Sequence, residues 1–524
     1  MTPVHIFEFT LLLLAAAVGL ALLARRLHLP AAVAYVLGGV ALALTPGPPH
    51  IELDPELTLL LFLPPLLHSS AWLTVWRDFR ANLRPILSLA IGCVAFTTLS
   101  VGWVLKQLAP DLPWAACFTF GAIVSPPDAV SAGAVLERLR MPRRLLTVLQ
   151  GESLVNDASG LVLYRMASVA ALTGAFSIGP SAAQFVYLVI GGLVVGVIFG
   201  RAMVWAFGWL REPNLEIAVS FLAAWVSYLI ADRIGASGVL ATVVCGLIGG
   251  LRQHAALSSR TRIAARGAWN VVTFALEALV FILIGLSLRG VMARLDWPHL
   301  VQLLPLVAVI AAALTLVRFV WVFPGVYLPR LLVRSDPSPP ASWLVVVSWA
   351  GMRGVVSLAV ALALPQRFPG RDVIQFLTFC IILVTVLVQG TTLGPLIRAL
   401  GVARAVSDCK EPPETRARAE IEHAKLAAVE ARLTDDLIGA LATDIVQEFR
   451  DRAGWAERAH GGGAAARAER NGRLSLRLEA VEAARARLLE LYRLGEIHDE
   501  VLQPLEQELD LDELRIRGQL AGQR

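Results

Sequence analysis

The sequence predicts an all-α polytopic membrane protein. It has about 13 transmembrane helices in an inverted-repeat arrangement, two of them broken and crossing, and a helical cytoplasmic tail. Three observations carry that prediction. The chain is 56% hydrophobic and 17% charged, with a mean hydropathy of +0.65, a balance that no soluble fold of 524 residues needs. Apolar stretches of spanning or near-spanning length recur from the N-terminus to about residue 400. After about Arg404, Arg, Glu and Asp concentrate, which divides the chain into a transmembrane domain, 1–403, and a helical regulatory domain, 404–524.

The apolar cores are approximately 6–25, 29–45, 55–73, 84–106, 113–136, 145–172, 183–208, 215–231, 236–251, 268–288, 300–328, 341–364 and 373–399. The first has no basic stretch before it and Arg25-Arg26 after it, the pattern of a retained membrane helix and not of a cleaved signal. The third, fifth and twelfth carry interruptions: Pro64-Pro65, Pro126-Pro127, and Gly351 with Gly354. Alternate loops are rich in arginine (Arg25-Arg26; Arg77, Arg80, Arg84; Arg138, Arg140, Arg143, Arg144; Arg211; Arg252, Arg260, Arg262, Arg266; Arg330, Arg334). The opposite loops are poor in it. The positive-inside rule then places the N-terminus outside and the C-terminus in the cytoplasm of a multi-pass protein of the cell (inner) membrane. The high pI, ≈ 9.1, arises from these loop arginines and speaks to the lipid bilayer, with no nucleic acid partner implied. Four of five cysteines, Cys93, Cys117, Cys245 and Cys380, sit in apolar segments, without metal-ligand spacing. In the tail, Glu411-Pro412-Pro413 marks a start. Segments 415–453 and 473–518 show helical periodicity on either side of Gly461-Gly462-Gly463, and His423, His460 and His498 are scattered as surface residues.

The polar residues at membrane depth carry the chemistry, because a carboxylate there costs at least about 2–3 kcal/mol. The sixth segment holds two, Glu152 and Asp157, with Ser153 and Asn156 at helical spacing from them. The fifth holds Asp128 directly after Pro126-Pro127. Two prolines should break that helix, and broken backbone is tolerated in a membrane only beside protein or a water-filled cavity. The twelfth holds Arg353 between Gly351 and Gly354. A buried Arg needs a carboxylate or helix C-terminal carbonyls, and Glu152 is the first choice of partner. Further candidates are Glu277 of the tenth segment and Arg318 of the eleventh, which could pair, and His68 of the third, which reads as a packing residue. Segments five and twelve, both broken, lie seven apart in order. Matching interruptions in two halves are the pointer to an inverted-repeat transporter with its site at midplane.

These residues resemble a known family. Glu152-Ser153-Leu154-Val155-Asn156-Asp157, with Ser125-Pro126-Pro127-Asp128 before it and Gly351-Met352-Arg353-Gly354 after it, is similar to the monovalent cation:proton antiporter-1 family of sodium/proton exchangers. Leu63-Pro64-Pro65-Leu66-Leu67 and Phe281-Ile282-Leu283-Ile284-Gly285-Leu286 fit the same pattern, over residues 1 to about 400. The resemblance implies a secondary active transporter and not an enzyme, with a homodimeric inverted-repeat antiporter fold and a role in pH homeostasis. Transported Na+ (or K+ or Li+) and H+ take the place of a cofactor. It makes Asp157 the principal cation and proton carboxylate, Asp128 and Ser153 neighbouring oxygen ligands, and Glu152 with Arg353 a structural ion pair. Asn156 stands where electrogenic relatives carry a second Asp, which implies electroneutral exchange. Two departures stand out. Pro127 replaces the family's Thr, so only its backbone carbonyl can serve as a ligand, and His68-Ser69-Ser70 occupy a stretch where many relatives carry a carboxylate.

The expectation is therefore a sodium/proton antiporter working by alternating access at a midplane carboxylate site. In the same class the alternative is K+/H+ or mixed Na+/K+ exchange. In other classes the alternatives are a cation channel, for which no filter-like repeat is present, and a membrane ion sensor whose tail binds a regulator.

Overall fold

Inside a bilayer no water satisfies the backbone, so apolar stretches must close their own hydrogen bonds, and every regular element among the described residues is a helix. The computed structural model describes residues 3–27, 29–45, 55–128, 136, 141–174, 178–292, 297–332 and 339–402. In the tail it describes 421, 423–428, 430–431, 445–451, 453–454, 464–494 and 499–521. The chain forms two compact units, Met1–Ser407 and Asp408–Arg524.

In the first unit the helices are α1 (Pro3–Arg26), α2 (Ala31–Leu44), α3 (Pro55–Leu73), α4 (Trp76–Ala81), α5 (Leu83–Leu108), α6 (Trp114–Val124), α7 (Arg143–Thr173) and α8 (Ile178–Leu210). They continue as α9 (Pro213–Arg233), α10 (Gly238–Ala256), α11 (Ser259–Met292), α12 (Trp297–Leu332), α13 (Ala341–Trp349), α14 (Val355–Leu362) and α15 (Arg371–Ala399). Eight of these helices, α1, α5, α8 to α12 and α15, contain stretches long and apolar enough to cross a membrane unaided. The remaining expected segments fall short of that measure for physical reasons. Helix α2 is short, α7 is long but carries the polar residues described above, and the fifth and twelfth segments are broken, while α3 has the length of α10. The second half of the fifth segment lies outside the described residues.

The Pro64-Pro65 pair does not interrupt the third segment as expected, since α3 runs through it. The carbonyl that Pro64 frees one turn back, that of Leu60, instead accepts the indole N–H of Trp225 at 3.1 Å. Two π-type turns, Ser88–Cys93 in α5 and Thr385–Gln389 in α15, expose further carbonyls and hydroxyls to neighbouring helices. The Ser88 carbonyl accepts from Trp321 at 3.1 Å, and Ala90 accepts from Ser159.

The largest buried cluster joins α1, α2, α3, α5, α6, α11, α12, α14 and α15. Its tightest seam is α2 on α11, where Gly39 and Gly285 face one another. A Cβ on Gly285 would lie 2.4 Å from the Val36 carbonyl oxygen, and one on Gly39 would lie 2.2 Å from that of Ile282. Small residues let membrane helices approach to backbone contact, where packing rather than water exclusion drives association. Gly285→Ala should separate this seam and cost about 1–3 kcal/mol as overpacking, read as a lower thermal midpoint of the detergent-solubilised protein. An unchanged midpoint would show that the seam yields freely.

In the second unit, α16 (Ala464–Arg493) and α17 (Asp499–Ala521) pair antiparallel, so the stretch expected as one periodic segment, 473–518, is two helices. Glu411-Pro412-Pro413, Gly461-Gly462-Gly463, His460 and His498 lie outside the described residues. Arg485 bridges Asp510 at 2.6 Å and also Glu513, which accepts from Arg517 at 2.6 Å. The donors of Arg485, and then those of Arg517, hold the Glu513 carboxyl below the usual carboxylate range. A depressed value in the folded state means stability that is complete above the ordinary Glu value of about 4.3 and is lost as pH falls through the folded value. In the full-length protein, hydrogen exchange across 510–517 should therefore lose protection in acid below about pH 4. Arg485→Ala should remove that pH step.

Candidate functional site

The site begins where two helices stop. Helix α6 ends at Val124, and Ser125 to Asp128 continue without helical hydrogen bonding. Helix α13 ends at Trp349, and Gly351 to Gly354 are extended before α14 begins at Val355. The two breaks meet directly, because the backbone N–H of Asp128 donates to the carbonyl of Met352 at 2.7 Å. Arg353, buried at 2% exposure, turns back across the junction. Its Nε donates to the carbonyl of Val124, the last residue of α6, and its Nη1 donates to that of Gly351. Its own N–H donates to the Thr385 hydroxyl at 3.1 Å, in the π-type turn of α15. Orphan carbonyls at a helix C-terminus carry partial negative charge, and a guanidinium is their natural partner.

The expected Glu152–Arg353 ion pair is thereby corrected. Glu152 pairs with Arg318 of α12, fork to fork, at 2.6 and 2.7 Å, with both side chains buried. Arg318 also donates to the Val347 carbonyl at 3.0 Å. The possible Glu277–Arg318 pair is not formed either. The Arg318 fork is taken by Glu152, and Glu277 lies within electrostatic range of Tyr35 on α2. The reason lies in α7. Five residues separate Glu152 from Asp157, so their side chains leave the helix roughly 140° apart at 3.6 residues per turn. One faces Arg318 while the other faces the breaks.

Asp157 is 7% exposed, and among the described residues its carboxylate has no hydrogen-bond donor and no cation. The charge that acts on it is that of Asp128. The Asp128 carboxylate sits over Gly354, where a Cβ would lie 2.1 Å from its Oδ2. Asn156, beside Asp157, donates from Nδ2 to the carbonyl of Pro127 at 2.7 Å and so ties α7 to the break. One lone pair of that carbonyl is occupied, and the other remains for a ligand. Helix α7 reaches the break because residue 160 is Gly: a Cβ there would lie 2.3 Å from the Pro126 ring. Ser153 lies one turn before Asp157 on the same helix. His68 is packed between Trp72 and Trp269, with centroids 5.8 and 5.5 Å away, and takes no part in the junction. Among the described residues no cluster of three His, Cys, Asp or Glu is placed to hold a metal ion. What the geometry offers instead is two carboxylates with neighbouring neutral oxygens, the hard donors that suit an alkali cation or a proton.

Several supports have no sequence signal of their own. Thr385 caps Arg353, and Thr98 donates to Ser125 at 3.1 Å at the start of the first break. Ser125 in turn donates at 3.2 Å to the Ala122 carbonyl, the group that Pro126 leaves without its helical donor. Arg318 was visible as a charge in an apolar segment, but its partner lies 166 residues away.

Two interrupted membrane helices that meet beside Asp128 and the buried Asp157 have the architecture of an ion-translocating secondary transporter. The chain belongs to the family described as sodium/hydrogen exchanger, transmembrane, which it matches over residues 12–399. That family comprises antiporters rather than enzymes. The chain is 32% identical to the uncharacterized Na(+)/H(+) exchanger YjcE of Escherichia coli, over 96% of this chain and 97% of that protein. It is 31% identical to the Na(+)/H(+) antiporter NhaH of Halobacillus aidingensis, over 76% and 98%. It is 32% identical to a sodium, potassium, lithium and rubidium/H(+) antiporter of Bacillus subtilis, over 70% and 58%. The sodium proton antiporter MjNhaP1 of Methanocaldococcus jannaschii shares the fold, with a TM-score of 0.61 at 19% identity, covering 76% of this chain and 99% of that one.

Arg318→Ala would leave the buried Glu152 carboxyl without its partner, and should cost about 3–5 kcal/mol. Replacing both, Arg318→Met with Glu152→Leu, should recover most of that loss. Thermal unfolding of the two variants in detergent tests the pair, and an equal loss in both would show that packing and not charge is at stake.

Proposed function

We propose that this antiporter exchanges Na+ for H+ electroneutrally, by alternating access, with Asp157 as the shared carboxylate. The observation that carries the reading is that Asp157 is buried at the meeting of the two breaks with no described cation or donor to neutralise it, whereas Glu152 five residues away is fully paired. A bare charge in that position opposes movement through the low-dielectric interior, and either a proton or a cation removes the charge. Proton and cation then compete for one site, which is sufficient for coupled exchange. Asp128, Ser153 and the Pro127 carbonyl complete the oxygen set around Na+. Asn156 is the reason for electroneutrality in this reading: its amide is engaged with Pro127 and takes up no proton, so one carboxylate carries one ion per cycle. Arg353 and the glycines on either side of it keep the crossing open and aligned. The moving bundle, the homodimer, the outside N-terminus and the cytoplasmic regulatory tail belong to the same proposal, supported by the family and by the arginine-rich loops. A wider selectivity that includes K+ and Li+ has its own support, since the Bacillus subtilis relative is named for four alkali cations.

The test is dequenching of a pH-sensitive dye in proteoliposomes after addition of Na+, K+ or Li+, with and without an imposed potential. Na+ should release protons at a rate that ignores the potential. Asp157→Asn, checked for folding by gel filtration, should reduce exchange to the level of empty liposomes, and residual coupled exchange would overturn the assignment. A response to K+ equal to that for Na+ would replace sodium selectivity with the mixed reading. A potential-dependent rate would overturn electroneutrality, and cation flux without proton movement would point to a channel.

A further inference from the structure

At one membrane face, where the ends of α3 and α10 meet the first turns of α11, lies a shallow, partly open cleft. Its lining residues are distinct from those of the carboxylate junction. Its lining combines Trp72 and Trp269 with Gln253, Arg262, Arg266 and Asn270, and among the described residues no carboxylate lines it. Glu216 of α9, one turn before Ser220, is buried but is not part of the lining. Arg262 is held in place, donating to the Leu257 carbonyl and to the Ser259 hydroxyl at 3.3 Å. Arg266, one turn further along α11, makes no hydrogen bond or ion pair with any described residue.

Both indole N–H groups are spent inside the protein. Trp72 donates to Gln253 at 3.0 Å, and Trp269 donates to Ser220 at 3.1 Å. What these side chains offer the cleft is therefore aromatic carbon. The face of α11 that carries Arg262, Arg266 and Asn270 continues one turn deeper to Phe274, which is 42% exposed, and Leu73 of α3, 63% exposed, stands among the lining residues. Two guanidinium groups, an aromatic floor and an apolar track leading toward the bilayer interior match an anionic head with a hydrocarbon tail. Basic pockets between transmembrane helices have this chemistry for phospholipid headgroups, and guanidinium groups match phosphate oxygens in geometry as well as charge.

We propose that this cleft is a binding site for an anionic phospholipid, with its phosphate between Arg262 and Arg266 and its acyl chain along Leu73 and Phe274. Native mass spectrometry of the full-length protein, titrated with phosphatidylglycerol or phosphatidylcholine, tests it. Phosphatidylglycerol should be retained preferentially. Arg266→Gln, which removes no described contact, should weaken that retention about tenfold, the effect of losing one charge-assisted hydrogen bond. Arg77→Gln on the same arginine-rich side should leave it unchanged. Equal retention by Arg266→Gln and wild type would overturn the site, as would equal retention of phosphatidylcholine. Displacement of the lipid by inorganic phosphate at equal concentration would show a free-anion site and overturn the lipid assignment.

Discussion

The membrane unit depends on one junction, the meeting of two helices that each stop partway across. Breaking a helix in a bilayer frees backbone groups, and each group left unsatisfied there costs several kcal/mol. The chain answers with groups from the opposite break. Asp128 donates its N–H to Met352 and Arg353 donates its Nε to Val124 across the junction, while the Nη1 of Arg353 secures Gly351 in its own break. Neither break is satisfied without the other, so the crossing is mutual. The helix ends so exposed lie beside Asp157, and their fixed dipoles supply an environment for charge that lipid cannot.

Charge placement follows from the same economy. Helix α7 carries two carboxylates, and the structure treats them in opposite ways. Glu152 is neutralised by a two-pronged contact with Arg318, which also secures the Val347 carbonyl near the end of α13. Asp157 is left to Asp128 and to whatever ion enters. No arginine among the described residues reaches Asp157. Pointing Arg353 at carbonyls, and sending Glu152 to a different arginine, keeps permanent positive charge off Asp157 while keeping the neighbouring glutamate satisfied.

Much of this was legible in the chain. Apolar segments marked the helices, and the positions of Pro126-Pro127 and Gly351–Gly354 marked both breaks, because proline removes donors and glycine weakens a helix wherever they occur. The same rule failed at Pro64-Pro65. Whether a freed carbonyl breaks a helix depends on what lies across from it, and Trp225 is 165 residues from Leu60. The partner of Glu152 was misread for a similar reason. Two buried arginines were available, and local spacing on α7 says nothing about which of them faces residue 152. Local rules located the polar residues, whereas tertiary packing chose their partners.

Pro127 shows how far a single departure reaches. A threonine there would bring a hydroxyl and a backbone donor, and proline brings neither. The break keeps its polarity from elsewhere. Ser125 takes the Ala122 carbonyl and receives a hydrogen bond from Thr98, while Asn156 secures the Pro127 carbonyl itself. These contacts fix the carbonyl's direction from one side and leave its second lone pair available. A backbone carbonyl held by a hydrogen bond has less freedom to reorient than a rotating hydroxyl. The position of that carbonyl therefore turns on how Asn156 and α7 pack against the break, around Gly160 and Pro126, rather than on a side chain of residue 127.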